Sequence, residues 1–383
     1  MNLSALERFA REARTTLCGI VKDKIERALP EQSAPRRDHR LAVERLEREL
    51  KARGPESVVE EAAYTWFNRF CAFRFMDANR YTSIMVVSPV AGATQPEMLA
   101  EARNGVFDDG LGLDVEEKQR VKAILAGAVP SADPFGEAYR LLFVATCNAW
   151  RRTMPFLFRE IDDWTEILMP DDLLSENSIL TKVREAMTDA DCQEGVEIIG
   201  WLYQFYIAEK KDAIYENLKR NVKITPENIP AATQLFTPDW IVKYLVQNSL
   251  GRLWLTLHPD SMIRDAMEYF VPDDPQAAPL KVPEGIRAPE DLKVCDPCCG
   301  SAHMLVCAFD LLYLIYEEAG YEAKVIPGLI LTKNLYGIEL DPRAAALSSF
   351  ALVMKARAKN RRFFSEKVLP RICCLRNVSF DPG

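Results

Sequence analysis

The chain has 383 residues, 48% of them hydrophobic, and a formal net charge of −8. That length holds two or more domains with sizeable cores, and no run reaches the 18 or so apolar residues that a membrane span needs. The acidic balance argues against a chain that grips DNA through a basic face of its own, because phosphate contacts need clustered Lys and Arg. The ten cysteines are scattered and mostly flanked by apolar residues, as at Cys71, Cys147 and Cys307. That is the usage of reduced, buried thiols in a cytoplasmic protein. Residues 1–8 read as the start of a charged amphipathic helix and not as a signal peptide.

The first 230 residues read as mostly helical. Leu3, Leu6, Phe9, Ala10, Ala13, Leu17, Ile20, Val21 and Ile25 mark one apolar face of a long first helix that stops before Pro30. Residues 41–50 form a second helix with alternating charge on its outer face. Residues 60–76 carry Tyr64, Trp66, Phe67, Phe70, Phe73 and Phe75, a density of rings that suits the centre of a core; a base-stacking platform is the alternative. Residues 135–150 and 196–205 read as further buried helices, with a sharp turn at 151–158. A polar helix at 208–220 follows. Pro226 and Pro230 bracket a loop that reads as the junction between a helical domain, 1–230, and a second domain, 231–383.

The second domain reads as α/β. Thr237 is a good N-cap and Pro238 suits the first helical position, so a helix opens there and runs through Trp240, Ile241, Tyr244 and Leu245. After a proline-rich loop at 271–290, Leu292 and Val294 lead to the acid Asp296. A turn of small residues, Pro297, Cys298, Cys299, Gly300, Ser301 and Ala302, then opens an apolar helix at 304–316. Strand, tight turn, helix is the geometry in which a backbone approaches a ligand at the carboxyl edge of a parallel sheet. Gly300 permits φ > 0 and removes a side chain from the ligand's path. Residues 335–340 read as a second strand ending in Glu339, followed by a helix at 343–358. An acid at the end of the second strand of a nucleotide-binding sheet accepts hydrogen bonds from ribose hydroxyls. The Gly300–Glu339 separation is roughly twice the dinucleotide-fold norm of about 20 residues; a longer first helix and residues 322–333 account for the excess. A third strand is expected at 371–375.

The same positions admit other chemistry. Cys295, Cys298, Cys373 and Cys374 could be proposed as four thiolate ligands for zinc. Structural zinc wants two well-formed knuckles, and adjacent Cys373 and Cys374 would point to opposite faces of a strand. His303 is expected in the first turn of its helix, bordering the site without chemistry. The basic run Lys355, Arg357, Lys359, Arg361, Arg362 and Lys367 suits a solvated helix end, where cations complement the macrodipole; contact with phosphate is the alternative.

Asp296-Pro297-Cys298-Cys299-Gly300-Ser301 resembles the cofactor motif of S-adenosylmethionine-dependent DNA methyltransferases that act on amino groups. Those enzymes carry Asp-Pro-x-x-Gly-Ser-Gly, and Ala302 departs from the last glycine. The Phe236-Thr237-Pro238 turn resembles the segment that caps the methionine end of their cofactor. With the helical front region and the aromatic segment Tyr64-Thr65-Trp66-Phe67-Asn68-Arg69-Phe70, the chain resembles the amino-terminal part of large adenine-specific DNA methyltransferases. It resembles the PglX type of bacterial BREX phage-defence systems, with single-chain restriction-modification enzymes as relatives.

The resemblance implies the first part of a Rossmann-like core that binds S-adenosyl-L-methionine through Phe236, Thr237, Pro238, Asp296, Pro297, Cys298, Gly300, Ser301, Ala302, Glu339 and Leu340. It implies methyl transfer to the exocyclic amine of a flipped-out adenine. It also implies DNA as partner of the complete protein, with other defence-system proteins or a phage inhibitor as further partners. The family positions the amine with an Asn/Asp-Pro-Pro-Tyr/Phe motif after its fourth strand. No Pro-Pro pair occurs here, so no catalytic residue is assigned. Asn377 or Asp381 would meet the cofactor's adenine ring. The chain is therefore expected to be a fragment that alone transfers no methyl group and binds cofactor weakly or not at all. Two other readings stay open: a helical interaction module of a defence complex, and an RNA or protein methyltransferase on the same core.

Overall fold

The computed structural model describes residues 1–108, 110, 112–158, 164–225, 228–272, 282 and 284–376. Pro226, Asn377 and Asp381 lie outside them. The chain forms two compact units, Met1–Ile198 with Phe205–Glu209, and Ile199–Gln204 with Lys210–Gly383. The division falls within one continuous helix, Glu197–Lys219, where the sequence suggested two helices and a junction at 230. The stretch 205–211 contains no glycine or proline to break it, so the two predicted helices merge. Among the described residues, no helix is long and apolar enough to cross a membrane.

The first unit is helical. Asn2 caps helix Leu3–Ala28 by accepting from the Ala5 amide at 3.1 Å. The predicted stripe is buried at Leu6, Phe9, Ala10, Ala13, Leu17, Val21 and Ile25, while Ile20 is half-buried and Leu3 stays exposed. Helix Pro55–Ala78 starts after Gly54, with Pro55 in its first turn. Its rings Tyr64, Trp66, Phe67, Phe70, Phe73 and Phe75 are each at most 3% exposed. They pack on one another and on Phe143 and Phe158, so they are core and offer no face for base stacking.

The same helix buries a polar clamp. Asp77 is 1% exposed and its carboxylate accepts from the backbone amides of Val86, Val87 and Ser88 at 2.8–2.9 Å. One turn earlier, Arg74 donates to the Met187 carbonyl, the Ser88 hydroxyl and the Asp189 carboxylate. Together they tie the segment after the helix to residues 187–189. Burial pushes the Asp77 carboxyl up to about 6, although the three amides pull it down.

For an acid raised in the folded state, the stabilisation is full below the unfolded value near 4 and is lost as pH rises through about 6. We expect the stability of the wild type relative to Asp77→Asn to fall by about 2 kcal/mol between pH 4 and pH 7. Urea unfolding across that range checks this; parallel pH dependences for the two proteins would sink it.

The second unit contains a parallel three-stranded sheet in the order β1-β2-β3: β1 Val294–Asp296, β2 Leu335–Glu339 and β3 Arg371–Cys374. Helix His303–Glu318 connects β1 toward β2, and helix Pro342–Lys359 connects β2 toward β3. Parallel neighbours need such crossovers. Fully buried Asn334 donates to the Pro289 and Leu292 carbonyls and accepts from the Tyr316 hydroxyl. It thereby sets the start of β2 against the approach to β1. The basic run is partly engaged locally: Lys355 pairs with Asp310 at 2.7 Å, Lys359 lies 4.3 Å from the Tyr313 ring centre, and Arg357 covers Phe364.

Candidate cofactor site

Parallel pairing sets Asp296 opposite Gly337, two residues before Glu339, so the ends of β1 and β2 lie side by side. The turn after β1 then folds back over β2. The Cys299 amide donates to the Ile338 carbonyl at 3.0 Å, and the Gly300 amide donates to Glu339 Oε2 at 2.7 Å. Glu339 Oε1 accepts from Leu340 and Asp341 at 2.8 and 2.9 Å. Oε1 is thereby filled, whereas Oε2 keeps one lone pair for a further donor.

The turn is built from left-handed residues. Gly300 has φ 53° and Ala302 has φ 73°. At Gly300 the conformation, not crowding, selects glycine, because an added Cβ would meet only Gln234 Nε2 at 3.8 Å. Ala302, where the motif it resembles carries glycine, holds the same kind of conformation, fully buried, immediately before helix His303–Glu318. Gly337 answers to space instead. A Cβ there would stand 2.6 Å from Ile372 Cδ1 and 2.9 Å from Cys299 Sγ, so β2 must be bare where the turn crosses it. Gly337→Ala is expected to cost about 2–3 kcal/mol through overpacking, and Gly300→Ala about 1–2 kcal/mol through φ. Equilibrium unfolding of both variants checks the order; a larger loss at Gly300 would contradict it.

Phe236 is 6% exposed. Its ring stacks on His303 with centres 4.3 Å apart and planes 10° apart, and meets Trp201 at 4.4 Å. The helix after it differs from expectation. Pro238 occupies the N-cap position of Asp239–Val246 and no side chain caps it. Thr237 thus precedes the cap, because the chain is extended at Pro238, with ψ 138°. Burial holds the His303 imidazole below its ordinary value, against the raising effect of Asp239, so it is uncharged at neutral pH. Burial raises the Asp296 carboxyl, with the Cys298 amide pulling it down and the charge of Glu339 adding to the rise. Burial likewise pushes the Cys299 thiol up to about 12.

The residues named from sequence therefore sort by access. Asp296, Gly300, Thr237 and Glu339 are half-buried; Phe236, Ser301 and Ala302 are buried; Pro238, Pro297, Cys298 and Leu340 are exposed. Cys295 on β1 and Cys373 and Cys374 on β3 are separated by β2. Sequence reasoning missed Gly200, Trp201, Tyr203 and Gln204, which reach this region from helix Glu197–Lys219. A glycine inside an otherwise apolar helix was the available signal, since such a residue marks close approach of another element. As chemistry, the site offers acids at two adjacent strand ends, a turn with a backbone amide at its tip, and an aromatic wall. That set suits a small ligand bearing hydroxyl donors and positive charge.

No protein-family model matches this chain. Two curated relatives are similar to it. The chain is 42% identical over 361 residues to the adenine-specific methyltransferase BrxX of Escherichia coli O9:H4 (strain HS), covering 92% of this chain and 28% of BrxX. It is 36% identical over 340 residues to the adenine-specific methyltransferase PglX of Lacticaseibacillus casei (strain Zhang), covering 85% of this chain and 28% of PglX. The chain is a homologue of the BrxX and PglX adenine-specific methyltransferases. It spans a little over a quarter of their length.

Proposed function

We propose that this chain supplies the S-adenosylmethionine-binding part of a Rossmann-like, adenine-specific DNA methyltransferase of the BREX type, acting in phage defence. The observation that carries the reading is the Glu339 carboxylate joined to the Gly300 amide at the ends of two parallel strands. A carboxylate with a spare lone pair on Oε2 there accepts a ribose hydroxyl. The residues fit the cofactor's other parts as well. Half-buried Asp296 beside Glu339 suits a ligand that carries positive charge, and Phe236 with Thr237 and Pro238 lines the other side. Bound here, the cofactor supplies an electrophilic methyl group. The chain's own residues hold and orient it: the left-handed turn brings backbone amides close, and the aromatic wall limits water.

The acceptor half of the reaction lies outside this reading. Adenine must be held by its Watson–Crick edge and stacked on a ring. The sequence has no Pro-Pro motif for that, and the rings of helix Pro55–Ala78 are buried. The chain alone is therefore proposed to bind donor weakly and to transfer nothing. DNA, defence-system proteins and phage inhibitors are proposed as partners of the longer protein.

Titration with S-adenosylmethionine to millimolar levels, followed by NMR, is expected to shift the Gly300 and Glu339 amides saturably. Glu339→Ala is expected to weaken that response at least about tenfold, the loss of one or two charge-assisted bonds. No shift at either amide, or the same titration for both proteins, overturns the reading. The purified chain with labelled donor and adenine-containing DNA is expected to incorporate no label; incorporation would place the acceptor chemistry within these residues.

A further inference from the structure

One face of helix Glu197–Lys219 reaches all three segments of the candidate site. Gly200, Tyr203 and Gln204 are spaced i, i+3, i+4 and so share that face. At Gly200 a Cβ would lie 2.3 Å from the Phe236 ring and 2.6 Å from Ser301 Oγ. The ring cannot yield readily, because it is held between Trp201 and His303. The Gln204 side-chain oxygen accepts from the Phe236 amide. The Tyr203 hydroxyl donates to Asp341 Oδ2. Asp341 is 2% exposed, caps helix Pro342–Lys359 through the Arg343 amide at 2.9 Å, and lies two residues beyond Glu339.

We propose that residues 200–204 are the positioning element of the cofactor site, setting Phe236, Ser301 and the Glu339–Asp341 corner at once. The proposal rests on the cofactor reading above for its ligand, but not for its geometry. Each of the three segments is a turn or loop, and a turn keeps a binding geometry only when a rigid element supports it. One helix face supplies that support by three different means. Glycine at 200 permits contact without a side chain. Gln204 satisfies an amide that would otherwise be buried without a partner. Tyr203 anchors the N-cap of the helix that follows the ribose-side acid. These are positioning residues, and ligand affinity depends on them through Phe236, Ser301 and Glu339.

Hydrogen exchange on the whole chain tests the geometry. Gln204→Ala is expected to speed amide exchange about tenfold at 234–238, the loss of one buried hydrogen bond. Gln204→Glu, which keeps an acceptor, restores protection. Gly200→Val is expected to speed exchange at 234–238 and 298–302, and Tyr203→Phe at 339–343, with helix Leu3–Ala28 unchanged in every variant. If Gly200→Val fails to fold, the Gln204 pair and Tyr203→Phe still decide. Calorimetric titration with S-adenosylmethionine then tests the consequence: affinity falls about tenfold in Gln204→Ala and returns in Gln204→Glu. Unchanged exchange in the three segments overturns the proposal, as does changed exchange with unchanged affinity. A wild-type chain without measurable affinity overturns the cofactor reading alone, and the exchange results still decide the positioning role.

Discussion

The Glu339 carboxylate fixes the ends of two parallel strands relative to each other. It accepts from Gly300 across the sheet and from Leu340 and Asp341 along its own chain. Hydrogen bonds to an ionised acceptor are roughly twice as strong as neutral ones, and here three converge on one side chain. They hold a turn containing two left-handed residues, Gly300 and Ala302, one of which carries a Cβ and disfavours that conformation by about 1–2 kcal/mol. The remaining features of the second unit follow from that constraint. A Cβ at Gly337 would meet Ile372 Cδ1 from β3 first and Cys299 Sγ from the turn next, and the Cys299 amide bonds to the Ile338 carbonyl where the turn runs back along β2.

The first unit uses a related device for a different end. Asp77 gathers three consecutive backbone amides, as Glu339 gathers three. The difference lies in burial. Asp77 is almost wholly enclosed and its carboxyl is pushed up to about 6, whereas Glu339 is half-buried with a lone pair to spare. A sealed acid organises a loop and can do little more. An acid at a strand end with access to solvent organises a loop and still meets a ligand. The same chemistry thus serves structure alone in one unit and a candidate site in the other.

Much of the candidate site's placement is legible in the sequence. Asp296 and Glu339 were assigned to strand ends, and the structure sets them at the ends of neighbouring parallel strands. The amphipathic stripe of the first helix, the aromatic core helix and the strand–turn–helix order are local patterns with periods of two or 3.6 residues. The cap at the Thr237-Pro238 turn was displaced by one residue because the choice between two adjacent caps depends on backbone angles that composition does not set. The predicted break near 206 was absent because a change from apolar to polar residues alters a helix's surroundings without ending the helix.

By itself the sequence determined which backbone conformations were cheap, which faces were apolar and which acids stood at turns. These depend on sterics and on neighbours within about four positions. Only the tertiary structure decided that Glu339 bonds to Gly300, that Gly337 must lack a side chain, and that Gly200, Tyr203 and Gln204 brace the site. Tyr203 and Asp341 are 138 residues apart in the chain. A contact of that span is set by how whole elements pack, and no local periodicity encodes it.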